Sequence, residues 1–300
     1  MLTNHLNQFS MNYRKELESQ SWTLIKNYFD DDFCDQLRKD CYAASQTNND
    51  YSDILSNQHL SHLLTNEKFI ELVCHFFDAK PVYFGDSGYQ IASVVKRISN
   101  GFHKDSIDRK NPDGMDWKHG YSLIRFGIYL QDHENFSEGL VVRSNSHHTP
   151  DLKTGKKVNV PSKKGDIIAW YLTTTHSGNA KRIKGIDYPV LMGDETGGWL
   201  SHKLYYHLPK FCIQKSEKDR VAIFITFGTN DVHLKRYLSY LKHRRYMVEL
   251  WQKQDFIKET VNKINAQNKI ELLDLKEEAL KFDMQNFKEY DFANYKNFNI

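Results

Sequence analysis

Between roughly residues 80 and 228, short segments rich in Val, Ile, Tyr and Phe follow one another with no long helix between them. They read PVYFG, YQIASVVKRI, YSLIRFGIYLQD, GLVVRS, GDIIAWYL, WLSHKLYYHL and RVAIFITFG, with Gly, Asn, Asp and Ser marking the gaps. A parallel sheet needs a long crossover, usually a helix, between successive strands. This stretch therefore predicts a mainly β core of sandwich or barrel form.

Helical spacing flanks that core. In SWTLIKNYFDDDFCDQLRKDCYAA an apolar strand-like entry, Trp22 to Tyr28, gives way to a helix in which Asp30, Asp31 and Asp32 offer capping oxygens. Phe33, Leu37 and Cys41 then fall on one face. NEKFIELVCHFFDA places Phe69, Leu72, Val73 and Phe76 at helical intervals, and helical periodicity returns from Asn230 onward. With no low-complexity linker or internal repeat, residues 1–300 are expected to form one domain of α+β content: a helical flank at 20–80, the core at 81–228 and a second flank at 229–300.

Composition excludes several partners. Lys plus Arg total 41 against 38 Asp plus Glu, a formal charge of +3 that does not steer the whole molecule toward nucleic acid or an anionic membrane. Four scattered cysteines, with no Cys-x-x-Cys pair, suit a reducing compartment better than a disulfide framework. No apolar run has the length of a signal peptide or a membrane span. A soluble, cytoplasmic protein acting on a small molecule is expected; oligomeric state is left open.

His103-Lys104-Asp105 is the first candidate site. On extended chain, residues two apart point to the same side, so the imidazole and the carboxylate can reach one ion. Spacing alone proves little, because 14 His and 38 acidic residues supply about two His-x-acid pairs by chance. A second histidine from a distant strand would complete the two-histidine, one-carboxylate facial triad of non-haem iron(II) oxygenases. His176, in GDIIAWYLTTTHSGNA, is the candidate; the alternative is a strand-end histidine bonded to backbone or solvent. Arg220 opens the apolar strand RVAIFITFG, where a guanidinium can grip a carboxylate bidentately or simply reach solvent along its stem.

These residues resemble the phytanoyl-CoA dioxygenase-like family of iron(II)/2-oxoglutarate oxygenases over about Ser21 to Gly228. TLIKNYFDDDFCDQL is similar to the family's lead-in strand and helix, and LIRFGIYLQDHENFSEGLVVRSNSHH to its central stretch. GDIIAWYLTTTHSGNA resembles the strand with the distal histidine, and RVAIFITFG the last barrel strand. The resemblance implies a double-stranded β-helix (jelly-roll, cupin-like), with His103, Asp105 and His176 as ligands of Fe(II). It implies Arg220 on the distal carboxylate of 2-oxoglutarate, Ser177 and Arg125 as further co-substrate contacts, and O2 as oxidant. Asn145 stands where the family has a turn glycine, and Asn is the other residue that readily turns left-handed. The interval from His176 to Arg220 exceeds the family's, which implies an insertion at about 181–210 and leaves Arg182 as a competitor for Arg220. The aspartate at position 105 implies hydroxylation rather than halogenation.

Gln90, Lys96 and Arg125 lie on strands expected to face the cavity, Gln90, Lys96 and Trp170 are the candidate substrate-binding residues, and Lys104, Arg109, Trp117, Lys118 and His119 lie in the loop after the first ligands. Positive groups there would suit an anionic substrate. Three other readings compete. One is a cupin-like barrel that binds metal or ligand without turnover. Another takes Gly85-Asp86-Ser87-Gly88 as a serine-nucleophile tetrapeptide. The third takes KRYLSYLKHRRYMVEL, with Lys235, Arg236, Lys242, Arg244 and Arg245, as a basic helix for nucleic acid or membrane rather than a solvated face over Leu238, Leu241 and Val248.

Overall fold

The computed structural model describes residues 12–47, 53–92, 101–118, 120–134, 138–180, 184–185, 209–214 and 219–289. In chain order its strands are β1 (Trp22–Ile25), β2 (Val82–Ala92), β3 (Ile124–Tyr129), β4 (Gly139–Ser144), β5 (Lys156–Asn159), β6 (Ile167–Tyr171), β7 (His176–Ala180), β8 (Arg220–Gly228) and β9 (Glu271–Leu272). They form a six-stranded sheet, β1-β6-β3-β8-β2-β9, and a three-stranded sheet, β5-β4-β7. Every pairing is antiparallel except β2 with β9.

The larger sheet is buried on both faces. Ile124, Phe126 and Ile128 of β3, Ile167 and Ala169 of β6, and Val221, Ile223, Ile225 and Phe227 of β8 pack against N-terminal helices through Leu37, Cys41, Phe69 and Val73. The alternate residues Tyr129, Ile168, Trp170 and Ala222 meet Leu140, Val142 and Val160 of the smaller sheet's side. Double burial is why these strands read as unbroken apolar runs rather than as alternation. By the same period of two, Gln90, Arg125, Arg220 and Thr226 share the inner face with Trp170. Polar side chains thus gather on one inner face of an otherwise apolar sandwich.

Helices close the rest. A helix at 12–20 (α1) precedes α2 (Asp31–Gln46), whose first turn is capped by Asp30 accepting from the Phe33 amide at 2.8 Å. Asn66 caps α3 (Glu67–His75) in the same way through Phe69. After β8 come α4 (Val232–Leu241), α5 (Arg245–Gln252), α6 (Lys258–Gln267) and α7 (Lys276–Ala279). Leu234, Leu238, Leu241, Val248 and Trp251 from this group pack on Phe84, Ile107, Leu123 and Leu172, closing one end of the sheets. The flanks are not purely helical, since β1 and β9 come from them and extend the larger sheet. Among the described residues no helix is long and apolar enough to cross a membrane.

Local chemistry explains three departures from the expected pattern. The lead strand stops at Ile25 because Asn27 turns left-handed, with its amide held by Asp166. PVYFG and YQIA are one strand, bent by a register shift between Tyr83 and Ser87 around Gly85, whose φ of +78° favours glycine. Arg236 does not join a solvated basic face: it is buried against Asp108 and Asp116, while Leu238, Leu241 and Val248 pack inward as expected. WLSHKLYYHL, the expected strand before β8, lies outside the described residues, as does most of the expected insertion.

Candidate metal centre

The backbone brings the two histidines together. His103 and His176 form an antiparallel bridge, each amide donating to the other's carbonyl at 3.0 Å, and the Asp105 amide donates to the Leu172 carbonyl at 2.9 Å. The segment 103–105 thus continues the smaller sheet beyond β7, and its alternate residues His103 and Asp105 face the same side. The imidazole centroids are 4.4 Å apart. Asp105 places Oδ1 3.8 Å from His103 Nε2 and Oδ2 3.5 Å from His176 Nε2. One ligand atom from each residue lies within 4.8 Å of the others. With metal–ligand lengths near 2.1 Å, two donors on one ion stand about 3–4 Å apart, so small side-chain rotations close this set on an ion.

The second nitrogen of each ring fits the same purpose. His103 Nδ1 lies 3.2 Å from the Gly101 carbonyl and His176 Nδ1 lies 3.0 Å from the Thr174 carbonyl. A carbonyl only accepts, so each Nδ1 carries the proton and each Nε2 keeps its lone pair for a metal. Burial, reinforced by the neighbouring His103, pushes His176 down to about 4, which keeps it neutral as a ligand must be. Burial would raise the Asp105 carboxyl, but Arg125 and then the two imidazoles outweigh it and hold it at about 2.

Lys104 points the opposite way, as its place between two site residues requires. Its ammonium donates to the carbonyls of Ser146 at 2.6 Å and Thr173 at 2.7 Å, and sits 5.5 Å from the ring centre of Trp117. Burial pushes it down to about 7. Lys104 is therefore a brace behind the site and not a substrate contact, tying the 103–105 segment to the turn at Ser146 and to the chain leading into His176. Asn145 begins that turn at φ +62°, the left-handed conformation expected of it.

Arg125 grips the ligand carboxylate. Nη1 donates to Asp105 Oδ2 at 2.5 Å, Nη2 to Asp86 Oδ2 at 3.0 Å and Nε to Thr226 Oγ1 at 3.0 Å. Its guanidinium is thus shared between two carboxylates, Asp105 and Asp86. Asp86, which the sequence did not single out as a site residue, reaches inward because the bulge at Gly85 redirects it. Ser87, in the same tetrapeptide, meets the Ile54 amide and the Tyr83 hydroxyl, so its oxygen serves the packing of β2 rather than a nucleophile's role.

Arg220 is 2% exposed. Its Nε donates to the Glu138 carbonyl at 3.1 Å and Nη1 to Gln90 Oε1 at 2.5 Å, while the guanidinium lies 5.4 Å from the ring centre of Tyr129 and 5.8 Å from that of Phe224. Nη2 sits 3.7 Å from where a side chain on Gly178 would begin, against the strand that carries His176 and the buried Ser177. No carboxylate among the described residues pairs with this buried cation, so it fits an anionic ligand. Gln90 is engaged by Arg220. Trp170 is buried with its ring 5.7 Å from that of His176 and its indole N–H without a partner among the described residues. Its six-membered ring lies 2.8 Å from where a Gly127 side chain would begin. Lys96, His119 and Arg182 lie outside the described residues.

Sequence reasoning missed the clamp behind the loop that follows Asp105. Arg236 on α4 donates to both oxygens of Asp108 at 2.9 Å and to Asp116 Oδ1 at 3.0 Å, while Asp116 Oδ2 accepts from the amides of Ile107 and Asp108. Two acids and a distant helical arginine have no shared local spacing by which to be recognised.

No protein-family model matches the sequence, and no curated protein matches it. Among solved structures the chain is similar to EvdMO1, with a TM-score of 0.52 at 16% identity, over 74% of this chain and 50% of that one. The similar stretch thus spans about half of EvdMO1. It is also similar to ThoJ, described as a non-heme monooxygenase, in its nickel complex and in its apo form. Each ThoJ match has a TM-score of 0.50 at 12% identity, over 72% of this chain and 77% of that one. At such identities the likeness establishes a shared fold.

Proposed function

We propose that this chain is an Fe(II)/2-oxoglutarate-dependent dioxygenase of the phytanoyl-CoA dioxygenase-like kind, built on a double-stranded β-helix. It hydroxylates an unactivated carbon of a small molecule, with succinate and CO2 as co-products. One observation carries the reading: two imidazoles with Nδ1 tied to carbonyls turn Nε2 toward one carboxylate. The non-heme monooxygenase description of ThoJ, and its nickel complex, support a metal-dependent oxidation on this fold.

His103, Asp105 and His176 would hold the ion on one face, leaving the opposite positions open. Iron(II), with 2-oxoglutarate and O2, supplies the oxidising power that couples decarboxylation of the keto-acid to insertion of oxygen into a C–H bond. The chain's residues supply place and dryness. Arg220 holds the distal carboxylate with Ser177 beside it, Arg125 fixes the orientation of Asp105, and Trp170 with Phe224 keeps the inner wall apolar.

Anaerobic addition of iron(II) and 2-oxoglutarate to the purified protein tests this. A weak visible charge-transfer band should appear and be absent in His176→Ala. A protein that binds metal yet never converts 2-oxoglutarate to succinate, with any substrate class, would instead be a cupin-like binding protein without turnover.

A further inference from the structure

The loop after Asp105 presents a second guanidinium that the metal centre does not use. Asp108 is locked to Arg236, so its neighbour Arg109 is held in place at the root of the same clamp. Half-buried, Arg109 lies 6.0 Å from the ring centre of Tyr240 and its Nη1 is 3.5 Å from the Tyr240 hydroxyl. Arg244 covers the same ring at 5.8 Å and the ring of Tyr246 at 5.5 Å. Tyr240 packs on Tyr237 at 5.9 Å, and the Tyr237 hydroxyl is 3.4 Å from Asp86, the carboxylate that shares Arg125 with Asp105. A wall of arginine and tyrosine therefore leads away from the metal ligand, ending at Tyr246, which is 55% exposed.

Asp86 and Asp105 are both paired with Arg125. Arg109 makes no ion pair among the described residues. A half-buried guanidinium held on an aromatic shelf, without a counter-ion, is a ready receptor for an anion.

We infer that Arg109 anchors an anionic group of the substrate, a phosphate, sulfate or carboxylate, on the Tyr240 side of the metal centre. The anion site stands on its own geometry; calling its ligand a substrate rests on the oxygenase reading above.

Phenyl phosphate is the probe, with neutral phenol as control, titrated calorimetrically into the protein held anaerobically with iron(II) and 2-oxoglutarate. The wild type should bind phenyl phosphate and not phenol. Arg109→Gln should weaken it by about tenfold or more while keeping the charge-transfer band, and Arg109→Lys, which keeps the charge but loses the fork, by about threefold. Circular dichroism checks that each variant folds; if the glutamine variant does not, the lysine variant and Tyr240→Phe decide, each expected to bind less tightly than wild type. Equal binding by wild type and the Arg109 variants, equal binding of phenol, or no binding by the wild type overturns the inference. So does loss of 2-oxoglutarate rather than phenyl phosphate in Arg109→Gln, which would make Arg109 the co-substrate's arginine. If the iron and 2-oxoglutarate band never forms but phenyl phosphate still depends on Arg109, the oxygenase reading falls and the anion site stands.

Discussion

His103 and His176 exchange backbone hydrogen bonds in both directions, so main chain rather than side-chain packing sets their imidazoles side by side. The site is therefore a property of the smaller sheet, and cutting back either side chain leaves the bridge standing.

It follows that His103→Ala and His176→Ala should fold like the wild type yet lose iron(II). Metal affinity should fall by more than about a hundredfold, beyond the loss typical of partners outside the ligand set. Metal analysis after dialysis measures the first effect. A melting temperature within a few degrees of wild type would confirm the second, and collapse of the fold would show that the bridge depends on the rings.

Arg220→Gln removes a buried cation that donates to the Glu138 carbonyl and to Gln90 Oε1 and pairs with no carboxylate among the described residues. Loss of a charge-assisted pair to the co-substrate should cost about 2–3 kcal/mol, roughly 30- to 150-fold in 2-oxoglutarate affinity, with iron binding retained. Titration of the charge-transfer band with 2-oxoglutarate separates the two. Unchanged affinity would transfer the role to another cation, with Arg182 first in line.

Arg125→Met should loosen Asp105 without touching a ligand atom. Outer partners of metal ligands typically contribute 10- to 100-fold in affinity, and a loss in about that range is expected here. Because Asp86 is also left without its arginine, the variant should unfold at lower urea as well.

Arg236→Leu tests the clamp. It strands two carboxylates whose side chains are each 1% exposed, a change that costs about 3–5 kcal/mol in comparable buried pairs. Urea unfolding should show that loss. If stability held, the acids would have to be satisfied by some other group.

The elements were legible wherever one residue's neighbours in sequence are also its neighbours in space. Asp30 caps its helix as its position suggests, and Leu37, Cys41, Phe69 and Val73 fall on buried faces. His103 and Asp105 were readable because two residues on one strand share a side. Partnerships across the fold were not: Arg125 with Asp86 and Asp105, Lys104 with two loop carbonyls, and Arg236 with the acids after the ligand segment. Each joins residues from different elements, and a charged side chain does not announce whether it will end in water or in a pair. The short strand β5, KKVN, escaped notice because its residues are mostly polar and its place depends on pairing with β4.

Gly127 lets the Trp170 ring lie close against β3. The Trp170 indole leans into the space that a methyl on residue 127 would fill, and its ring centre lies 5.7 Å from that of His176. A methyl in place of a single hydrogen atom in the middle of β3 would thus shift a tryptophan that packs beside His176. The packing beside His176 would change while the backbone bridge to His103 stayed in place.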